Sequence, residues 1–332
     1  MATSSGIVNN CWKLFTVAAK SDKVNLRPLQ GTDSKRSMIT LYENLRTIVY
    51  TPFYLADRRG FWRDEGLDVA IHLSPDPVET AEGLLAGRAD ISWGGPMRVM
   101  LHHDRDPDCQ LVAFGQIVAR DPFILIGHEP NPDFHFHDLR GKRLAISEEV
   151  PTPWMTFQDD LTRAGIEPSN LDIAERAAMS TFPGKLATGE IDVAQVLEPY
   201  ASSALADGKA YIWHRFADRG DIGYTSFYTT RSYFQNNRAI CQSLLTGVGR
   251  ALDALTIEPA DDIAAELGTL FPEVPLTILA AAIAGYQSSN LWARQTDLPV
   301  AAFVKLKSAL LSGGLITTDI PYDHVIARLE TS

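Results

Sequence analysis

Leu85–Ile91, with the sequence LAGRADI, returns later in the chain as ATGEIDV at Ala187–Val193. In each stretch a glycine is followed three positions later by an aspartate and then by a β-branched residue. A glycine in this position is typical of a left-handed helix C-cap, and β-branched residues favour strands. Each stretch therefore predicts a helix end followed by a strand, and the recurrence indicates an internal duplication.

Apolar segments on either side of the two stretches extend this duplication. The first copy predicts the strand Met38–Glu43, the helix Pro52–Trp62, the strand Asp68–Leu73, the helix Val78–Ala86 and the strand Ala89–Trp93. The second copy predicts the strand Arg143–Glu148, the helix Pro153–Arg163, the strand Leu171–Ala174, a helix ending at Gly189 and the strand Ile191–Val196. Because strands that alternate with helices through short connections form parallel sheets, each copy is predicted to fold as a βαβαβ lobe.

The remaining segments predict how the lobes are joined. Asp121–Ile126 has the composition of a strand crossing into the second lobe, and the chain is predicted to return near residues 220–228. We therefore expect residues 38–121 plus 225–332 to form lobe 1 and residues 122–224 to form lobe 2. Residues 232–332 show apolar residues at helical spacing, which predicts a helical C-terminal region. Residues 1–37 are predicted to be a polar, poorly ordered extension.

Composition excludes several classes of protein. The 332 residues are 45% hydrophobic with a net charge of −11, which is unfavourable for binding nucleic acid or anionic membranes. No apolar stretch reaches the length of a membrane helix, and the N-terminus lacks the pattern of a secretory signal, so we expect no membrane insertion and no export signal in the chain as given. Three widely spaced cysteines predict neither a disulfide framework nor a zinc site, and no metal or cofactor is expected.

A ligand site is predicted where the strands end. In open α/β sheets, ligands bind beyond the carboxyl ends of the strands and against helix N-termini. Aromatic side chains there can stack on a ligand, arginine can hold an acid group, and paired glycines allow close backbone approach. The rule selects Glu43, Asn44, Arg46, Tyr50, Pro52, Trp93, Gly94, Gly95, Glu148, Thr152, Glu198, Tyr200, Thr225 and Tyr228.

Some of these residues have a second interpretation. Glu43, Arg46 and Glu148 could be solvated loop charges, because loops often carry such residues. Trp93 could belong to the hydrophobic core. Trp154, inside a helix start, is expected to serve packing rather than ligand binding.

The segment Tyr54–Val69 carries a family signature. It places a helix with a Gly-aromatic pair, Gly60-Phe61, ahead of a strand entered by Glu65-Gly66-Leu67. This resembles the SsuA/THI5-like (NMT1) family, and Leu85–Trp93 and Val193–Pro199 resemble its later helix–strand steps. The resemblance implies a fold like type II periplasmic binding proteins. It also implies a small-molecule ligand, such as a sulfonate, an aromatic acid or a pyrimidine, held for uptake with an ABC-type permease or for sensing.

The same resemblance leaves an enzyme as the alternative, because relatives include a thiamine-pyrimidine synthase, a decarboxylase and a desulfinase. Several residues argue against the synthase. Tyr50 stands about where thiamine-type members have a histidine, and no lysine occurs between Lys35 and Lys142. The cysteine-rich motif of the synthase is also absent, and Cys109 and Cys241 are not expected at strand carboxyl ends. Localisation stays open, since the family is mostly extracytoplasmic.

Overall fold

The computed structural model describes residues 38–76 and 79–329, so the predicted extension at residues 1–37 lies outside the described residues. The strands in chain order are β1 (Ile39–Glu43), β2 (Val69–Leu73), β3 (Ile91–Gly94), β4 (Leu111–Val118), β5 (Ile124–Gly127), β6 (Arg143–Ser147), β7 (Asp172–Ala177), β8 (Val193–Val196), β9 (Tyr211–Arg215) and β10 (Thr225–Thr230). They form two five-stranded sheets, one in the order β2-β1-β3-β10-β4 and the other in the order β7-β6-β8-β5-β9. We call the first sheet with its helices lobe 1 and the second lobe 2.

Helices cover both sheets. They are α1 (Thr51–Arg58), α2 (Phe61–Asp64), α3 (Glu79–Leu85), α4 (Pro96–Arg105), α5 (Thr152–Arg163), α6 (Phe182–Thr188), α7 (Tyr200–Ala206), α8 (Arg231–Asn236), α9 (Arg238–Ile257), α10 (Ala260–Leu267), α11 (Leu276–Ser288), α12 (Val300–Ser312) and α13 (Tyr322–Val325). The predicted helix Pro52–Trp62 is divided into α1 and α2, because Gly60 adopts a left-handed conformation with φ of 70°. In the described part of the chain, no helix has both the length and the apolar character needed to cross a bilayer.

The predicted two-lobed α/β architecture with C-terminal helices is confirmed, but the sheets are mixed rather than purely parallel. In lobe 1, β1 lies parallel to β2 and β3, while β10 runs antiparallel between β3 and β4. In lobe 2, β6 lies parallel to β7 and β8, while β5 is antiparallel to β8 and β9. Strands β5 and β10 each come directly after a segment that crosses between the lobes. Each therefore enters its sheet in the direction opposite to the strands of the βαβαβ unit.

The duplication is visible in equivalent hydrogen bonds. Asp90 accepts a hydrogen bond from the Thr40 backbone N–H (2.8 Å), and Asp192 accepts one from the Arg143 backbone N–H (2.7 Å). The backbone N–H of each aspartate also donates to the carbonyl of the same partner, at 2.9 Å in both lobes. In each lobe the aspartate therefore ties the start of the third strand to the start of the first.

Two crossing segments join the lobes side by side. The backbone N–H groups of Ile222 and Gly223 donate to the Ala119 carbonyl at 2.8 and 3.0 Å, and Tyr224 donates to Val118 at 2.9 Å. Beside them, Arg219 donates to the buried Asp121 carboxylate at 2.7 Å and also contacts Asp160 on α5. These bonds hold the two crossing segments together, and helices α11 and α12 also pack across the lobes, against α7 and α5.

Gly189 provides a test of the repeated helix end. It lies in the left-handed region with φ of 71°, and a Cβ added there would meet nothing within 4 Å. Gly189→Ala is therefore expected to destabilise the protein by about 1 kcal/mol through backbone strain alone. Urea denaturation followed by circular dichroism measures this change.

Gly249 is the matched control, because it lies inside α9 with equally open space around an added Cβ. Gly249→Ala should stabilise the protein by about 0.5–1 kcal/mol, since alanine favours a helix interior. A stabilising effect of both substitutions would show that Gly189 is not a left-handed cap.

Candidate functional site

A cleft of about 1080 Å³ lies between the lobes. Residues that follow β1 and β3 line it from lobe 1, and residues at the ends of β6 and β8 line it from lobe 2. The hinge residues Phe123 and Tyr224 and the turn at residues 312–315 after α12 complete the wall. The carboxyl ends of the parallel strands therefore meet at this cleft, as expected for a ligand site in an open α/β sheet.

Part of the predicted site lies on this wall. The residues of the prediction that line the cleft are Asn44, Tyr50, Gly95, Glu148, Thr152 and Thr225. They come from both lobes and from the returning strand, so the structure brings them together around one space. Ligand contact by these residues stays a prediction.

Glu43 and Arg46 form an ion pair outside the cleft lining, and the Arg46 side chain is 40% exposed. Glu43 is fully buried, and its carboxylate accepts two hydrogen bonds from the Arg46 guanidinium, at 3.1 and 2.8 Å, and one from the Tyr54 hydroxyl. Burial is the largest cause that raises the pKa of Tyr54 well above its usual value. Because Glu43 already has three donors, its carboxylate is committed to holding the end of β1 against α1.

Trp93 is part of the core, which was its second interpretation. It is fully buried, and its ring stacks on Phe53 with centroids 4.3 Å apart. Adjacent residues of a strand point to opposite faces, so the side chain of Trp93 points into the sheet–helix interface while the chain after β3 reaches the cleft.

The other predicted residues also lie outside the lining. Pro52 is buried in the first turn of α1. Glu198 is buried at the end of β8, where its carboxylate accepts a hydrogen bond from Ser202 N–H and its own N–H donates to the Tyr286 hydroxyl. Tyr200, Tyr228 and Gly94 likewise do not reach the cleft surface.

Arg98 is a cleft residue that the predicted site omitted. It belongs to the first turn of α4, lines the cleft and is only 8% exposed. Its Nε atom has no hydrogen-bond partner, and in residues 38–76 and 79–329 no carboxylate pairs with its guanidinium. A buried cation without a counter-ion is energetically unfavourable, so this position suits a group that becomes paired when an anion binds.

Polar groups surround Arg98 on the lobe 1 wall. Asn44 and Tyr50 line the cleft, and burial raises the pKa of Tyr50 to about 12. Among the residues that the structure describes, the buried Tyr228 hydroxyl has no hydrogen-bond partner, and it lies beside Gly94 and Asn44. A Cβ at Gly94 would stand 3.2 Å from the Tyr228 ring, so glycine at this position allows the ring to pack against the backbone.

The lobe 2 wall carries carboxylates and an aromatic ring. Glu148 and Glu149 follow β6, and Trp154 lies in the first turn of α5. The Arg176 guanidinium lies over the Trp154 ring, 5.4 Å from its centroid. Trp154 is largely buried and also packs edge-on against Phe157, so it serves packing and lines the cleft at the same time.

The described cysteines lie away from the cleft. Cys109 precedes β4 and Cys241 lies in α9, and both are buried free thiols. Burial raises the pKa of both thiols, that of Cys241 to about 12. Neither is therefore a thiolate nucleophile for chemistry in the cleft. Over the described ranges, no cluster of three or more histidine, cysteine, aspartate or glutamate side chains could hold a metal ion.

The contrast between the two arginines predicts opposite effects on stability. Arg46→Met removes the cation that pairs with buried Glu43, and this is expected to lower the free energy of unfolding by about 1–3 kcal/mol. Arg98→Met removes a buried unpaired charge, so it should leave that free energy unchanged or raise it by up to about 1 kcal/mol. Urea denaturation of the unliganded proteins measures both. Equal destabilisation by the two variants would contradict the assignment of Arg98 as unpaired.

The chain is similar to known proteins along most of its length. The Bacillus subtilis (strain 168) protein YtlA is 22% identical over 292 residues, which is 87% of each chain. The 4-amino-5-hydroxymethyl-2-methylpyrimidine phosphate synthase of Schizosaccharomyces pombe is 27% identical over 162 residues, or 48% of this chain and 44% of that protein.

A solved structure shows the same fold. The periplasmic aliphatic sulphonate binding protein SsuA from Escherichia coli aligns with a TM-score of 0.70 at 17% identity, covering 90% of this chain and 95% of that one. The sequence model of the NMT1/THI5-like family matches residues 47–262. The chain belongs to the NMT1/THI5-like family.

Proposed function

We propose that this protein is a solute-binding protein whose two lobes close on a small organic anion, such as a sulfonate or a carboxylate. The proposal rests on one observation above all, the buried and unpaired guanidinium of Arg98 at the cleft wall. An arginine can hold an acid group with two parallel hydrogen bonds, and charged hydrogen bonds contribute about 1.5–3 kcal/mol each.

The position of Arg98 at a helix start supports an anionic partner. Helix α4 begins at Pro96 directly after Gly95, and both Gly95 and Met97 line the cleft. At the start of α4, Pro96 has no backbone N–H and the Arg98 N–H donates to the Gly95 carbonyl at 2.9 Å, so the contribution of the helix is the partial positive charge that its dipole places there. An acid group beside Arg98 would therefore gain from the guanidinium and from the start of α4 together.

The rest of the cleft suits an organic body on the ligand. Apolar side chains from both lobes and from the hinge line it, namely Val49, Met97, Phe123, Trp154 and Leu197. These surfaces would bury a hydrocarbon or ring, and burial contributes about 25 cal/mol per Å² of apolar surface. A ligand with both an acid group and an apolar part would contact lobe 1 and lobe 2 simultaneously.

Such two-sided contact explains closure. A ligand favours the closed arrangement only by as much as it binds that arrangement more tightly than the open one. Contacts to both lobes supply this difference, because the lobe 2 contacts form only when the lobes approach. Since solved structures with the same fold include a ligand-binding component of an ABC-type import system, we propose that the closed form delivers its ligand to an ABC-type permease.

Isothermal titration with straight-chain alkanesulfonates and alkanecarboxylates tests the proposal. For every acid that binds the unmodified protein, Arg98→Met should raise the dissociation constant at least about tenfold. One charged hydrogen bond contributes about 1.5 kcal/mol or more, which corresponds to this loss. Arg294→Met is the matched control, since Arg294 is exposed, bonds to Asn290 and lies away from the cleft. Affinity of the Arg98 variant within about threefold of the unmodified protein would refute the anion site.

A further inference from the structure

The lobe 2 wall holds a carboxylate that mirrors Arg98. Glu149 is partly buried, and its Oε2 atom accepts hydrogen bonds from the Ser147 hydroxyl (3.2 Å) and the Met179 backbone N–H (3.1 Å). Its other oxygen, Oε1, has no hydrogen-bond partner in residues 38–76 and 79–329. One carboxylate oxygen at the cleft is therefore available to a ligand.

No basic side chain neutralises Glu149 within the described ranges. Burial is the largest cause that raises the pKa of this carboxyl, and the negative charge of neighbouring Glu148 raises it further. The basic residue on the same wall, Arg176, is exposed and lies over the Trp154 ring instead. Glu149 is thus a partly desolvated carboxylate beside another acid. A cation bound next to it would stabilise its negative charge.

The charges on the two walls are therefore opposite and both uncompensated. Lobe 1 presents Arg98 without an acid, and lobe 2 presents Glu149 without a base. The acid on the lobe 1 side, Asp76, already accepts a hydrogen bond from the Glu79 N–H at the start of α3. The two unpaired groups face one cleft from opposite lobes and are not in contact with each other.

We propose that the ligand is amphoteric, with its acid group on Arg98 and a protonated amine on Glu149. This inference rests on the proposed function, since it assumes that the acid end binds at Arg98. A ligand of this kind compensates one unpaired charge on each lobe, and it does so only when the lobes close around it. The amine–Glu149 contact thereby adds to affinity and to the preference for the closed form.

Matched pairs of acids test the amine contact. Isothermal titration compares ethane-, propane- and butanesulfonate, and the corresponding carboxylates, with the same acids carrying an amine at the far end. For at least one chain length, the amino acid form should bind at least about tenfold more tightly, the gain expected from one charged hydrogen bond. Equal affinity within every pair would overturn the inference.

Glu149→Gln identifies the residue responsible. Glutamine keeps an acceptor oxygen for Ser147 and Met179, so the local fold is retained while the charge is lost. This variant should reduce the preference for the amine to within about threefold. Plain acids should bind at least as tightly as before, because the variant removes a negative charge from the cleft. Glu190→Gln, at an exposed position of lobe 2 away from the cleft, is the matched control and should preserve the preference.

The outcomes separate the two proposals. If plain acids bind and depend on Arg98 but show no preference for an amine, the amphoteric ligand is refuted and the anion site stands. If an amine preference exists and survives Glu149→Gln, the assignment of Glu149 is refuted. If no acid binds in an Arg98-dependent way, the proposed function itself fails.

Discussion

The buried guanidinium of Arg98 is the constraint on which the proposed function depends. The fold places a positive charge in the cleft wall at the first turn of α4 and provides no acidic partner for it among the described residues. Arg46, which also belongs to lobe 1, differs from Arg98 because its guanidinium forms an ion pair with Glu43. The proposed anion site rests on Arg98, which is buried at the cleft without an acidic partner among the described residues.

The connection between the lobes keeps their two walls on either side of one cleft. Paired crossing segments at Val118–Phe123 and Phe216–Tyr224 are joined by backbone hydrogen bonds and by the Asp121–Arg219 ion pair. Arg219 also contacts Asp160, and burial raises the pKa of Asp160 to about 6. These contacts hold the two crossing segments together where the lobes meet. The charges on the two walls therefore face one cleft from opposite lobes.

Most of the fold could be predicted from sequence because it depends on local signals. Gly87 and Gly189 end helices in the left-handed conformation, and the aspartates that follow them tie the strands together in both lobes. Mixed strand direction could not be predicted in this way. Whether β10 pairs parallel or antiparallel with β3 depends on the path of the chain through the hinge, and no local pattern records that path.

The site was predictable only to the level of strand ends. The rule located Asn44, Gly95 and Thr152 at the cleft, because it depends on backbone position alone. It could not predict side-chain direction, which places Trp93 in the core. Nor could it predict pairing, which commits Glu43 to Arg46 and Tyr54. Arg98 was missed for a related reason, since the direction of a side chain in the first turn of a helix depends on the rotation of that helix about its axis. A count of charged residues without partners would have found it, but that count requires the three-dimensional structure.

A crystal structure of the protein with a bound alkanesulfonate or aminoalkanesulfonate tests the central claim most directly. The account predicts closed lobes, with sulfonate oxygens within hydrogen-bonding distance of the Arg98 guanidinium and beside the first turn of α4. A sulfonate bound elsewhere in the cleft, with Arg98 still unpaired, would contradict it.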